Sequence, residues 1–496
     1  MLDQQRARNS WRRTLLTASA LSLFPAIAFA GDVPATPDGA KKLSAVLEKY
    51  VGKPAAGSQP AITVTPEGGH YAMAVDLAAL TAPFKAAGFS YDPAVLKIEL
   101  TEQDDGMWRY DRATMPPLTF HMKDGAGSIS LTDYKSSGLY DPALGWYKTI
   151  QASLASGHFE VKAPGVEEKF ELGSVSANGT GAASAGGAVT SSVHEDLANI
   201  VGAFNITPGG ADAKPDAKPV KATLHVDKGA VDIALDGLKT HPLLDLWAFA
   251  VAHPTRPELA ANEAAFKDLL RAALPAAFKI NETFAMQTIA VEAPQGVFKV
   301  ANGKGAVGAV GSGADNSFEE HFAIDGLALP AGLVPPAYAA LTPSAVDIGF
   351  KVSGFDLQGG ANEAINDMKL AGDGPVVSPE DQPKVTAKLK GKGPLLIDIA
   401  PSHIVAPQLD IAFEGKINYS GEKPTGAVTV HMRNFDKTVA ALKAIGPAAS
   451  PQMLGGLTMA KGLAKTEADG TLTWVGEMGA DGQIKVNGLP LGKAPI

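Results

Sequence analysis

The sequence predicts an α+β fold dominated by strands. Long antiparallel sheets would be built from repeated β-hairpin–strand–helix units, with helices packed on one face. Three observations lead there. Six segments alternate apolar and polar residues with the two-residue period of half-buried strands: "VLKIEL" (95–100), "HFEVKA" (158–163), "ATLHVDKGAVDIAL" (222–235), "VDIGFKV" (346–352), "LDIAFEGKINYS" (409–420) and "AVTVHM" (427–432). Helical spacing occurs in fewer places. The chain's 53 Gly and 35 Pro, against 7% aromatic residues, fit many turns between many short elements. Strands that outnumber helices without alternating with them point to mainly antiparallel pairing.

Five segments are expected to be helical. "DGAKKLSAVLEKYV" (38–51) has Asp38 as a candidate cap. "HPLLDLWAFAVAH" (241–253) and "PELAANEAAFKDLLRAALPAAF" (257–278) follow, then "NFDKTVAALKAIG" (434–446) and "SPQMLGGLTMAKGLAK" (450–465). The chain closes on an expected hairpin: Leu472, Trp474 and Met478 share one parity, a turn follows at Gly479–Gly482, and Ile484 and Val486 alternate with polar residues.

Two turn patterns recur. Strand, Ala-Pro, strand occurs in "VKAPGVEEKFEL" (161–172), "VEAPQGVFKV" (291–300) and "IVAPQLDIAF" (404–413), and Pro cannot donate to a ladder, so each should mark a turn or strand edge. An alternating strand followed by a small polar residue and Gly occurs at Asp236-Gly237, Asp325-Gly326, Ser353-Gly354 and Asn487-Gly488, with a looser copy in "HMRNFDKT" (431–438). Degenerate duplication of one unit accounts for both patterns; turn chemistry that simply recurs is the plainer account.

Residues 1–30 read as an export signal. Arg6, Arg8, Arg12 and Arg13 precede an apolar run from Leu15 to Phe29, and Ala28-Phe29-Ala30 offers a cleavage site near Ala30. Arg12-Arg13-Thr14-Leu15-Leu16 resembles a twin-arginine signal, although paired arginines also occur in ordinary ones. The expected location is the periplasm. Loss of 1–30 removes four Arg and one Asp and takes the formal charge from −9 to −12. An acidic mature chain argues against nucleic acid as a partner. No later run is long and apolar enough for a transmembrane anchor. Two loop-like stretches, 208–221 (Pro-, Ala- and Asp-rich) and 372–384 (Pro- and acid-rich), suggest an N-terminal β-rich region 31–207, a middle region 222–371 and a C-terminal region 385–496.

The sequence excludes more chemistry than it offers. The chain has no Cys, so disulfides, zinc–thiolate sites, iron–sulfur clusters and a Cys nucleophile are excluded. Gly303-Lys304-Gly305-Ala306-Val307-Gly308 has dinucleotide-fingerprint spacing, but the Gly-rich residues after it are poor helix material, so a flat strand and turn are expected. His194-Glu195 and Glu320-His321 are the acid–imidazole neighbours; adjacent strand residues face opposite ways, so neither is a natural chelate. "TEQDDGMW" (101–108) lacks the alternating ligands of a calcium loop and reads as a hairpin tip. No cofactor, metal site or catalytic set is expected. The one candidate binding element is the apolar helix bearing Leu243, Leu244, Leu246, Trp247, Phe249 and Val251, either a core helix or the wall of an apolar groove anchored by Trp247.

"LLRAALPAAFKINETFAMQTIAVEAPQGVFKVANGKGAV" (269–307) and the tail "GLAKTEADGTLTWVGEMGADGQIKVNGLPL" resemble the YdgA-like group of bacterial envelope proteins, and more distantly AsmA-like β-rich proteins. The likeness covers roughly 220–496 and brings no catalytic residues with it. It implies an envelope role, in lipid handling or outer-membrane maintenance. The expectation is therefore an exported non-enzymatic protein that binds lipid or an envelope protein through an apolar sheet face or groove. A periplasmic hydrolase assembled from distant residues, with His194 and His321 as first suspects, is the alternative, and a purely structural envelope protein is another. Charges within "KLKGKG" and "DGLKTHP" argue against a lipid-facing barrel.

Overall fold

The computed structural model describes residues 33–52, 59–207, 218–311, 316–391, 393–420, 424–445 and 451–493. The export signal and most of the stretch 208–221 fall outside them. The chain divides into two compact units, residues 1–224 with 235–276, and residues 225–234 with 277–496. Strands dominate, and every pairing described below is antiparallel.

The first unit opens with α1 (Pro37–Val51), followed by β1 (Ile62–Glu67), β2 (His70–Asp76), α2 (Leu77–Thr81), β3 (Ser90–Tyr91), β4 (Val95–Glu102) and β5 (Trp108–Thr114). Next come β6 (Leu118–Met122), β7 (Gly125–Thr132), β8 (Lys135–Asp141), β9 (Trp146–Leu154), β10 (Ser156–Ala163), β11 (Val166–Leu172), β12 (Ser174–Ala183) and β13 (Val189–Ile206). β14 (Val220–Leu238) is divided between the units, and α3 (Thr240–Ala252), α4 (Arg256–Ala261) and α5 (Glu263–Ala273) complete the first. The strands lie in the order β1-β2-β4-β5-β8-β9-β12-β13-β11-β10-β7-β6-β3. Strands near both ends of that order feed one buried cluster: Met73, Val75 and Leu100 from one end, Leu118 and Ile129 from the other, with Leu43 and Leu47 of α1. The sheet therefore curls around its own apolar side. β13 serves two neighbours in turn, with left-handed Asn199 (φ +52°) at the joint.

Two expectations for helices are corrected here. Thr36, not Asp38, caps α1: its hydroxyl accepts the Gly39 amide at 3.0 Å, and Asp38 sits in the first turn. The segment 257–278 is not one helix. It breaks at Asn262 between α4 and α5 and ends at Leu274, because the residue before Pro275 is kept out of the helical region. Thr255 and Glu258 start α4 with a reciprocal capping box, and Lys279 already begins a strand.

The second unit contains β15 (Lys279–Ala293), β16 (Gly296–Val310), β17 (Ser317–Asp325), β18 (Ala345–Ser353), α6 (Leu357–Asn366), α7 (Gln382–Leu389), β19 (Leu395–Ala406) and β20 (Leu409–Tyr419). It continues with β21 (Thr425–Arg433), α8 (Phe435–Ala444), α9 (Pro451–Leu463), β22 (Lys465–Thr466), β23 (Leu472–Met478), β24 (Gln483–Val486) and β25 (Leu489–Lys493). The acidic stretch 372–384 runs into α7 and lies inside this unit. From β15 to β21 each strand pairs with the next in sequence; β21 then pairs with β23, which carries β22 and β24, and β24 pairs with β25.

Turn chemistry explains the meander. The Ala-Pro segments form two-residue hairpin loops, with Ala163 opposite Val166, Ala293 opposite Gly296 and Ala406 opposite Leu409. "TEQDDGMW" is the tip between β4 and β5, and Gly303–Gly308 lies inside β16 with no helix following. Left-handed residues end the alternating strands at Gly237, Gly326, Gly354 and Asn434, and α3, α6 and α8 follow three of these exits. Asn487-Gly488 differs, because both residues are left-handed (φ +48° and +79°) and turn the chain straight into β25.

Candidate functional site

The register of the second unit sorts its side chains onto two unlike faces. Directly opposed residues form one row across nine strands: Ile280, Ala309, Phe318, Val352, Ile397, Ile417, Gly426, Met478 and Ile484. At about 4.8 Å per strand the row runs for roughly 38 Å. Parallel rows on the same face bring Phe284, Gly305, Phe322 and Ile348 together, and Ile404, Ile411, Met432 and Leu472. A bulge in β19 keeps the parity there: an extra residue after Ile399 returns Ile404 to the face that Ile399 occupies. Glu282, Glu320 and Ser402 are the polar members of this face, and Ser402 is buried with its hydroxyl donating to the Ala400 carbonyl.

Cover over this face is uneven. At the β20–β23 end α8 and α9 close it. Met432, Phe435 and Leu472 form a buried cluster with Ile411, Val439, Leu457 and Trp474 against them, and the Trp474 indole donates to the Ala460 carbonyl of α9 at 2.7 Å. Across β15–β18 it lies open, with Phe322 44% exposed, Ile348 39% and Phe350 36%. Open aromatic and β-branched residues packed side by side are what an apolar ligand covers.

The opposite face is polar and internally paired. His321 meets Asp347 at 2.5 Å, His403 meets Asp410 at 2.7 Å, and His431 meets the Thr473 hydroxyl at 3.0 Å. The acid and hydroxyl contacts thus belong to different histidines. His321 and Glu320 point to opposite faces, as their adjacency requires, and in the first unit His194 lies 3.4 Å from Asp196. Among the described residues no group of three or more His, Asp or Glu is placed to hold a metal ion. A cavity of about 710 Å³ also lies in the second unit, lined by Asp398, Lys416, Ala427, Glu477 and Lys485 of the polar face and the turn 479–483. Two of its charges pair, with Lys416 3.4 Å from Asp398.

The helix read as a candidate binding element is α3, in the first unit. Ala248 and Val251 are buried, while Leu243, Leu244, Leu246 and Phe249 are half-buried. Phe249 stacks on Phe266 of α5 at 6.0 Å. Trp247 is 44% exposed, yet its indole donates to the Tyr50 carbonyl of α1 at 2.8 Å and its ring lies 5.8 Å from Phe84. Asp245 accepts from Lys49 at 2.7 Å. These contacts tie α3 to α1 and α5.

An apolar sheet face was expected from the sequence, but the residues that line it were not identified, although their signal was there. "VDIGFKV" and "LDIAFEGKI" carry it on one parity each, but which parities line up depends on a strand order that periodicity does not supply. Among the described residues no helix is long and apolar enough to cross a membrane. Compared with protein-family models, with curated proteins and with solved structures, the chain has no match.

Proposed function

We propose that the protein is an exported, non-enzymatic lipid-binding protein of the cell envelope, which holds acyl chains along the open apolar face of β15–β18. The observation that carries this reading is the apolar face built around the nine-strand row, on which Phe322, Ile348 and Phe350 of the neighbouring rows are left exposed. The Arg-led apolar leader supports export to the periplasm, and the likeness of 220–496 to YdgA-like and AsmA-like envelope proteins points the same way. We read the sheet as duplicated hairpin–strand–helix units with helices on one face; the three Ala-Pro hairpins and the left-handed exits before α3, α6 and α8 support this.

Uptake of a fluorescent fatty acid by delipidated mature protein tests the reading, alongside native mass spectrometry of protein purified without detergent. The expected result is saturable uptake and copurifying lipid. The double variant Ile348→Glu/Phe350→Glu should lose uptake with little change in melting temperature, because both side chains are already partly in water. Absence of both uptake and copurifying lipid in the parent protein would sink the reading.

A further inference from the structure

The closed end of the apolar face has an unusual cover. Residues 437–466 contain four lysines, at 437, 443, 461 and 465, and no Asp or Glu, in a chain whose formal charge is −9; Asp436 and Glu467 flank the stretch, and Glu467 lies 3.1 Å from Lys465. Described parts of this stretch form most of α8 and all of α9. Leu454, Leu457 and Leu463 of α9 are half-buried, and Leu457 packs against the cluster of Met432, Phe435 and Leu472. The other side of α9 should then be charged if water were its only neighbour. Instead Met453, 39% exposed, and Met459, 65% exposed, stand there with Gly455 and Gly456 between them, beside the uncharged Gln452 and Thr458, and Lys461 is its one exposed charge. Lys461 reaches back to α8, 2.6 Å from Asp436 and over the Phe435 ring, so the two helices are tied together. Lys437 and Lys443 are exposed on α8.

We infer that α8 and α9 dock the protein on an anionic bilayer. Met453 and Met459 enter the acyl boundary while Lys437 and Lys443 meet the headgroups. The charge pattern selects this occupant. A second copy would bring like lysines together, whereas an anionic surface attracts this patch and repels the acidic remainder of the molecule, which orients the docking. The inference rests on the lipid-binding reading for its purpose, since the docked helices cover the end of the same apolar face and would place it beside its lipid source.

The test is cosedimentation of the mature full-length protein with vesicles of phosphatidylethanolamine and phosphatidylglycerol, and with vesicles of phosphatidylcholine alone. Expected is salt-sensitive binding to the anionic vesicles and weak binding to the neutral ones. Lys437→Glu/Lys443→Glu should weaken anionic binding by about tenfold or more, since each lysine near such a surface is worth roughly fivefold. Met453→Glu/Met459→Glu should abolish it while circular dichroism melting stays at the parental value. Equal binding to both vesicle types, no binding by the parent, variants that bind like the parent, or a dimer that Met453→Glu/Met459→Glu splits into monomers would each overturn the inference. Uptake of a soluble single-chain fatty acid separates the two readings: uptake kept with vesicle binding lost overturns docking alone, and vesicle binding kept with uptake lost overturns the lipid-holding face alone.

Discussion

At Gly354 the chain leaves β18 with φ +91°, and an added Cβ would collide with the Pro394 carbonyl oxygen. At Gly488 φ is +79°, but nothing lies within 4 Å of an added Cβ. Gly488→Ala should therefore cost about 1 kcal/mol, the conformational term alone. Gly354→Ala should cost at least twice as much, and denaturant titration of the two variants measures the difference. Asn487 does more than turn the chain. Its Oδ1 accepts the Val475 amide at 2.8 Å, and its Nδ2 donates to the Leu463 and Thr473 carbonyls at 2.8 and 2.9 Å. Asn487→Gly keeps the backbone freedom and loses all three bonds, so about 1–3 kcal/mol of stability should go with it. In the first unit burial pushes the Tyr110 and Tyr140 phenols up from the ordinary value of 10.0. Above about pH 10 the unfolded chain releases these protons and the folded chain keeps them, so stability is full below that pH and falls as pH rises beyond it. Phenolate absorbance during alkaline titration should accordingly rise for these two tyrosines only together with the loss of circular dichroism signal.

At the scale of elements, the closing hairpin is a wall of the cluster that α8 and α9 cap in the second unit. β23 pairs along β21, Leu472 is buried there, and Trp474 lies 6.1 Å from the Phe435 ring. Deleting 469–496 should expose the β21 edge and the Phe435 pocket, and so lower the melting temperature and promote aggregation before any binding is lost. Size-exclusion chromatography and thermal scans of the truncated protein check this. Much at this scale was legible from sequence: all six alternating segments form strands, and the Ala-Pro dipeptides turn the chain where Pro must interrupt a ladder. What escaped has local causes. Asn262 and Pro275 interrupt a helical pattern that periodicity alone carries through them, and α6 opens with Gly359 and Gly360, whose low helix propensity hid it. Of the site, the parity of each strand could be read, but the bulge that keeps Ile399 and Ile404 on one face could not.

For the whole molecule, the two units differ in how they bury apolar surface. The first gathers Tyr71, Leu100 and Leu118 into a closed cluster, so Leu100→Ala should cost about 2–5 kcal/mol. The second leaves much of its apolar side half in water, and its stability should depend on what occupies that side. A fatty acid at a hundred times its dissociation constant would add about 2.7 kcal/mol to the second unit and nothing to the first. Calorimetry of delipidated protein with and without fatty acid should show one transition moving and one staying. The nine-strand row also has a consequence for motion. Between β17 and β21 its members are Phe318, Val352, Ile397, Ile417 and Gly426, none of which offers a side-chain hydrogen bond, so a chain lying across them meets nearly the same surface at each strand. Such a surface would hold a hydrocarbon without fixing its place along the sheet. Its occupant would slide with low friction, stopped only where Glu282 and Glu320 stand at one end and α8 and α9 close the other.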